Sequence, residues 1–301
     1  MTVTEAPSEV ELRVTPLSGR IGAVIEDLDL RNLTDDQIAA IRRVWLERKV
    51  VFFPGANLDP DSHLAFAARF GEPTEGHPVI PGVDGYPNIH EIDYAESAKL
   101  QAQYGNVARR QYSGLSWHTD VTFVKRPPLG SILRAVTIPP AGGDTAFSNQ
   151  QAAFEAFSPS LRSYLETLHA VHTGEIAFGR ALEARGGEGQ WEGKPYTDAD
   201  LKPVVHPLVR THPETGKKAL FVNPGFTSHI EELHAAESQA LLSFLYDHST
   251  QPQFTVRYHW RAGDVGFWDN RATQHSVVGD WNPFEEPRVI QRVTLRGDEP
   301  V

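Results

Sequence analysis

Short runs of alternating or continuous apolar residues dominate this chain, and helical periodicity interrupts them only a few times. Residues 11–14 and 21–25 read as strands. Thr34-Asp35-Asp36-Gln37 has the spacing of a capping box and predicts a helix with Ile38, Ile41, Val44 and Trp45 on one side. Val50-Val51-Phe52-Phe53-Pro54 is continuously apolar, as a buried strand would be. Asp59-Pro60 opens a second helix whose apolar side is Leu64, Ala67 and Ala68, with Gly71 closing it. Further strands are expected at 88–93 and 130–138, and helices at 159–168 and 232–246. Residues 204–210 and 219–222 make a hairpin around Pro213-Glu214-Thr215-Gly216. Phe254, Val256, Tyr258 and Trp260 share one face of a late strand, and 265–268 is another that ends in Trp268-Asp269-Asn270-Arg271. Two stretches, 94–114 and 173–202, have no clear period and read as long loops.

Many short strands, punctuated by 24 Gly and 22 Pro, predict a mostly β fold with α. The architecture expected is a double-stranded β-helix (jelly roll) core with flanking helices. Residues 1–10 form a flexible N-terminus and 11–301 one domain. The formal net charge of −11 argues against a nucleic-acid partner. No run approaches the roughly 18 apolar residues of a membrane span, and residues 1–10 lack the pattern of a signal peptide, so a cytoplasmic location is expected. Without cysteine, any metal must be held by histidine and carboxylate.

Trp117-His118-Thr119-Asp120-Val121-Thr122-Phe123 alternates β-branched and aromatic residues and so reads as a strand. On a strand, positions i and i+2 leave one face, which points His118 and Asp120 the same way. An imidazole and a carboxylate sharing a face are two of the three ligands of a 2-His-1-carboxylate iron site. The tripeptide alone is weak: chance gives roughly two His-x-Asp/Glu matches for this composition, and the sequence has three. His212-Pro213-Glu214 falls in a turn. His229-Ile230-Glu231 lies in or beside a helix start, where i and i+2 do not share a face.

A third ligand is expected near the end of a late strand, where His275 follows the Trp268–Arg271 turn. In Arg288-Val289-Ile290-Gln291-Arg292-Val293-Thr294-Leu295, Val289, Val293 and Leu295 occupy one face, and Arg288, Ile290 and Arg292 the other. Two guanidiniums on one face, about 13 Å apart by strand rise, suit either solvent at an exposed edge or bound anions in an interior.

With these segments in order, the chain resembles the taurine/α-ketoglutarate dioxygenase family, whose members include alkylsulfatases and aryloxyalkanoate dioxygenases. The resemblance runs from about Leu12 to Pro300. It rests on the 117–123 segment, Gly142-Gly143-Asp144-Thr145, Val222-Asn223-Pro224-Gly225-Phe226-Thr227, Trp268–Arg271 with His275, and the Arg288/Arg292 strand. It implies that His118, Asp120 and His275 hold Fe(II), and that Thr145 and Arg288 hold the distal carboxylate of the co-substrate 2-oxoglutarate. It further implies that Arg292, His77 and Phe226 contact the substrate; by pattern alone, His77 is a loop histidine and Phe226 a core phenylalanine.

The implied reaction consumes O2 and 2-oxoglutarate, releases succinate and CO2, and hydroxylates a small organic anion, with a sulfonate or sulfate ester favoured. Ile80 stands where taurine enzymes have a tyrosine, and Gly114 or a neighbour where they have an asparagine. Both differences remove polar contacts for an amine and argue against taurine itself. Two alternatives remain: the same chemistry on a carboxylate, including a biosynthetic intermediate, and a non-catalytic cupin-like metal- and anion-binding protein. A homo-oligomer, dimer or tetramer, is also expected.

Overall fold

The computed structural model describes residues 10–77, 80, 82–95, 117–175, 189–191, 194–196 and 202–301. Strands β1 (Arg13–Pro16) and β2 (Ala23–Glu26) pair as a hairpin. Helix α1 (Asp35–Arg48) starts where the capping box places it. Thr34 accepts from the Gln37 N–H, and the Gln37 side chain accepts from the Thr34 N–H. Strand β3 (Val50–Phe53) is buried throughout, and α2 (Pro60–Ala68) is capped by Asp59. The buried side of α2 is His63, Phe66 and Ala67. Ala68, expected there, is exposed because Phe66 and Phe70 take the sheet-facing positions.

The chain continues through β4 (Gly82–Val83), β5 (Tyr86–Asp93), β6 (Gly130–Thr137) and β7 (Thr145–Asn149). Asn149 caps α3 (Gln150–Glu155) and Ser158 caps α4 (Pro159–Leu165). Next come β8 (His169–His172), the small hairpin β9 (Gly189–Trp191) and β10 (Lys194–Tyr196), β11 (Val204–Pro207), β12 (Val209–Thr211), β13 (Lys218–Leu220) and β14 (Thr227–Ile230). Helix α5 (Ala235–Ser249) leads into β15 (Thr255–Tyr258), β16 (Val265–Asp269), β17 (Thr273–Val277) and β18 (Val289–Leu295).

The fold is mostly β with helices. Eight strands form a sheet in the order β1-β2-β3-β16-β6-β18-β5-β4, and β15-β7-β17 form a separate three-stranded sheet. Strand alternation gives the large sheet two different apolar faces. Val51, Phe53, Ile132, Phe267, Val293 and Leu295 pack with α1 and α2, where Trp45 stacks on Phe267 with centroids 4.2 Å apart. Their neighbours Val50, Phe52, Leu133, Trp268 and Ile290 turn to the other side and pack with Phe147, Tyr258 and Val277 of the small sheet. Arg288 and Arg292 share the parity of Ile290, so the backbone aims both guanidiniums between the sheets.

Several expectations need correction. Residues 117–123 are not a strand: His118 makes one isolated bridge to His275, and residues 120–123 form a turn. Val121 sits at φ +50°, a left-handed conformation that breaks any ladder. The stretch taken as one strand over 204–210 is two. β11 pairs with β8, while β12 pairs with β13 around the predicted turn. His229 lies on β14, paired to β8, and α5 begins only at Ala235. Within the second predicted loop, β9 and β10 pair as a short hairpin. Residues 1–9, most of the first long loop (96–116), Gly114 and much of the second lie outside the described residues. Among the described residues, no helix is long and apolar enough to cross a membrane.

Candidate functional site

His118, Asp120 and His275 come together although their segments are far apart in sequence. One ligand atom from each lies within 4.8 Å of the others. The backbone produces this. His118 N donates to His275 O at 3.0 Å and His275 N to His118 O at 2.8 Å, so the two histidines face each other across one antiparallel rung. The chain then turns over residues 120–123, with Val121 at positive φ, and Asp120 lies within reach of both imidazoles. A β-branched residue at positive φ carries strain of about 1–3 kcal/mol. The turn is accordingly pinned on several sides. Thr119 Oγ1 donates to Thr273 O at 2.7 Å, Asn223 Nδ2 donates to Thr122 Oγ1 at 3.1 Å, and His206 Nε2 donates to Thr122 O at 3.0 Å.

Asp120 Oδ1 is 3.9 Å from His118 Nε2 and 3.8 Å from His275 Nε2. Those gaps are too long for hydrogen bonds. Donors each about 2 Å from one shared ion would stand roughly 3–4 Å apart, so the three side chains fit a metal. Burial, then the neighbouring His118, pushes the His275 pKa down to about 3, so its imidazole is neutral with a lone pair to give. Burial would raise the Asp120 pKa, but Arg292 and the two histidines outweigh it and hold the carboxyl well below the usual range. With His275 neutral, the decisive cation is Arg292, whose Nη1 donates to Asp120 Oδ1 at 2.5 Å.

The two arginines expected on one face are both buried, Arg288 at 0% and Arg292 at 5% exposure. Arg288 Nε donates to Gly143 O at 2.8 Å and Nη2 to Thr145 Oγ1 at 3.3 Å. The guanidinium lies against the Tyr94 and Trp281 rings, 4.6 and 5.8 Å from their centroids, and the two rings meet each other edge-on at 5.6 Å. Arg288 Nη1 is buried with no partner among the described residues. A buried guanidinium with an idle donor fits an anion. The Gly-Gly-Asp-Thr turn makes this possible. Gly142 and Gly143 adopt φ +77° and +67°, and a Cβ on Gly143 would come within 3.0 Å of Arg288 Cδ. Asp280 accepts from Gly143 N at 3.0 Å, and Asp144 is held by His259 and Arg257.

Phe226 packs edge-on to His118 with centroids 6.1 Å apart and against Phe123 at 4.9 Å. Its loop is tied to the 120–123 turn through Asn223, whose Nδ2 reaches Thr122 and whose Oδ1 accepts from Phe226 N at 2.9 Å. His77 is buried and meets His90 edge-on at 5.5 Å. His90 is the register partner of Arg292. His90 was not anticipated. Only the pairing of β5 with β18 brings it to the site, and that pairing leaves no local mark in the sequence. His169, Glu231 and Glu232 also cluster, but all are exposed and His169 already pairs with Glu232 at 2.6 Å.

Buried neutral histidines make stability depend on pH. Burial lowers His63 to about 4 and His172 to about 3, the latter helped by His206. Both lie below the unfolded value of about 6.5, so as pH falls the unfolded chain takes up protons first. The stabilisation is complete above about pH 6.5 and declines toward pH 4. Urea unfolding should show a loss of about 4 kcal/mol between pH 7 and pH 5, roughly 2 from each histidine; a flat profile would contradict the buried neutral state.

Residues 13–294 match the family described as taurine catabolism dioxygenase TauD, TfdA. An α-ketoglutarate-dependent sulfate ester dioxygenase of Pseudomonas putida is 39% identical over 299 residues, covering 98% of this chain and 93% of its own. An alkylsulfatase of Acinetobacter baylyi is 36% identical over 299 residues, covering 99% and 88%. Among solved structures, a taurine dioxygenase from Burkholderia xenovorans superposes with a TM-score of 0.79 at 40% identity, over 96% of this chain and 91% of the other.

Proposed function

The chain belongs to the taurine catabolism dioxygenase TauD, TfdA family, and from that premise we propose an Fe(II)/2-oxoglutarate-dependent dioxygenase acting on a small organic anion, with an alkyl sulfate ester favoured. Its class is that of its relatives, an α-ketoglutarate-dependent dioxygenase and so an oxidoreductase. We read the two facing sheets as the walls of a double-stranded β-helix, a reading supported by their out-of-sequence strand order and by the structural likeness.

One observation carries the proposal: a His-Asp-His cluster lies beside two buried guanidiniums, one of them bonded to the cluster's carboxylate and the other with an idle donor. In this reading His118, Asp120 and His275 hold iron. The bound iron, with 2-oxoglutarate and O2, supplies the oxidation that hydroxylates the substrate and leaves succinate and CO2. Arg288 Nη1 and the Thr145 hydroxyl take the distal carboxylate of 2-oxoglutarate. Arg292 exchanges its contact with Asp120 for the anionic group of the substrate and fixes which carbon faces the metal. His77 lines the same end through His90, and Phe226 with Phe123 walls off water on the other side. If the hydroxylated carbon bears a sulfate ester, the product separates into an aldehyde and sulfate. Ile80 in place of a polar side chain suits an alkyl chain better than an amine. The names of two relatives at 39% and 36% identity support sulfate esters further.

The test supplies purified protein with Fe(II), ascorbate and 2-oxoglutarate, then a panel of alkyl sulfates, sulfonates including taurine, and aryloxyalkanoic and aliphatic carboxylates. Succinate and sulfate should rise together with an alkyl sulfate, while taurine releases little sulfite. Succinate with a carboxylate alone would move the substrate class. No succinate with any anion, from protein that holds iron, would favour metal and anion binding without turnover.

A further inference from the structure

Asp120 is held from behind by a chain of three buried side chains that no part of the proposed reaction uses. Ser131 Oγ on β6 donates to Asp120 Oδ2 at 2.7 Å. Asn270 Nδ2 donates to Ser131 Oγ at 2.9 Å, and Trp268 Nε1 donates to Asn270 Oδ1 at 3.0 Å. Trp268, Asn270 and Ser131 are 1%, 1% and 0% exposed. Trp268 and Ser131 face each other across the β16–β6 ladder, and Asn270 follows at the turn, so the backbone brings the three together.

The order of donors is chemically fixed. An indole N–H can only donate, so the atom of Asn270 beside it must be the carbonyl oxygen. That turns the amide NH2 toward Ser131, and an NH2 has nothing to accept with. The Ser131 oxygen therefore accepts, and its single proton goes to Asp120. An amide that could flip and a hydroxyl that could rotate are both set by one tryptophan.

We infer that Ser131 and Asn270 are positioning residues that keep Asp120 a one-oxygen ligand. Oδ2 is occupied by Ser131, and Oδ1 is the oxygen that faces both histidines. A carboxylate free to rotate could offer both oxygens to a metal and fill a position that the co-substrate or O2 needs. Trp268 also packs on the His275 ring with centroids 4.9 Å apart, so the same indole steadies a second ligand. The inference rests on the metal reading of the site.

Co(II) titration of metal-free protein tests it, with visible absorption as the readout and thermal melting as the control. Ser131→Ala removes one atom and should weaken Co(II) binding about 10–100-fold with a native-like melt. Asn270→Asp should weaken it similarly, because a carboxylate there draws the Ser131 proton away from Asp120. Combined, the two should cost no more than the worse single change, since either one interrupts the same chain. Unchanged Co(II) affinity in Ser131→Ala overturns the inference, as does a double variant whose losses multiply. If Asn270→Asp does not fold, Ser131→Ala decides alone. Wild-type protein that takes up no Co(II) would instead overturn the metal reading, and this inference with it.

Discussion

Arg288→Ala is expected to raise the KM for 2-oxoglutarate by about 10²–10³-fold while leaving the KM for the organic anion within about threefold; Arg292→Ala should do the converse. The first expectation follows from how completely Arg288 is enclosed. Gly143 O and Thr145 Oγ1 fix two of its nitrogens, and the Tyr94 and Trp281 rings pack against it. The remaining nitrogen is left for a carboxylate. Alanine at 288 removes the only cation among the described contacts of that pocket. A ligand carboxylate would then have to be desolvated against aromatic rings alone, which is unfavourable.

Arg292 is different because it also touches Asp120. Its loss removes the anchor for the substrate anion and also a competitor for the metal-facing oxygen, so iron content should hold or rise while substrate saturation fails. Initial rates with each ligand varied in turn, together with metal content, separate the two roles. Equal effects of both substitutions on both ligands would show that the anchors are misassigned.

Asp269→Ala is expected to lower stability by about 3–5 kcal/mol. The carboxylate is fully buried and accepts from Arg271 Nε and Nη2 and from His212 Nε2, each at 2.9 Å. Burial alone would raise its pKa, but Arg271 and the His212 hydrogen bond hold it well below the usual range. Arg271 reaches on to Glu214 at 2.7 Å, and Glu214 to Arg42 at 2.8 Å. Removing the central anion leaves an arginine that is 3% exposed with Glu214 on Nη1 and its other two nitrogens without their carboxylate. Scanning calorimetry at pH 7 should show a drop of roughly 5–8 °C. A drop of only a degree or two would mean that the network fixes geometry without adding stability.

What the sequence disclosed about this protein was local. Helix α1 was legible because its start is written in four consecutive residues, and β3 because four apolar residues in a row leave little else for it to be. The shared face of Arg288 and Arg292 follows from strand period alone. The segment from Trp117 to Phe123 was misread for an instructive reason. Its β-branched residues favour a strand, yet Val121 is left-handed in a turn whose Thr119 and Thr122 are held by Thr273, Asn223 and His206, all more than eighty positions away. The two ligands converge through a turn, so the geometric argument for them was wrong even though the pair is found together. The roles of His90, Ser131 and Asn270 leave no local mark, because which residue faces which across β5, β18, β6 and β16 is a non-local property. His229, expected in or beside a helix start, is part of a strand because it pairs to β8.

The reciprocal rung between His118 and His275 has one more consequence. Two main-chain hydrogen bonds, rather than the ion, fix how far apart the imidazole-bearing carbons stand. On the proposed metal reading, the entropy of gathering the ligands is spent when the chain folds, and loading an ion would only have to adjust side-chain torsions. This is the opposite of a zinc finger, whose ligands are scattered until the metal collects them. A protein built this way can lose its ion to a chelator and keep the mould into which the next one fits.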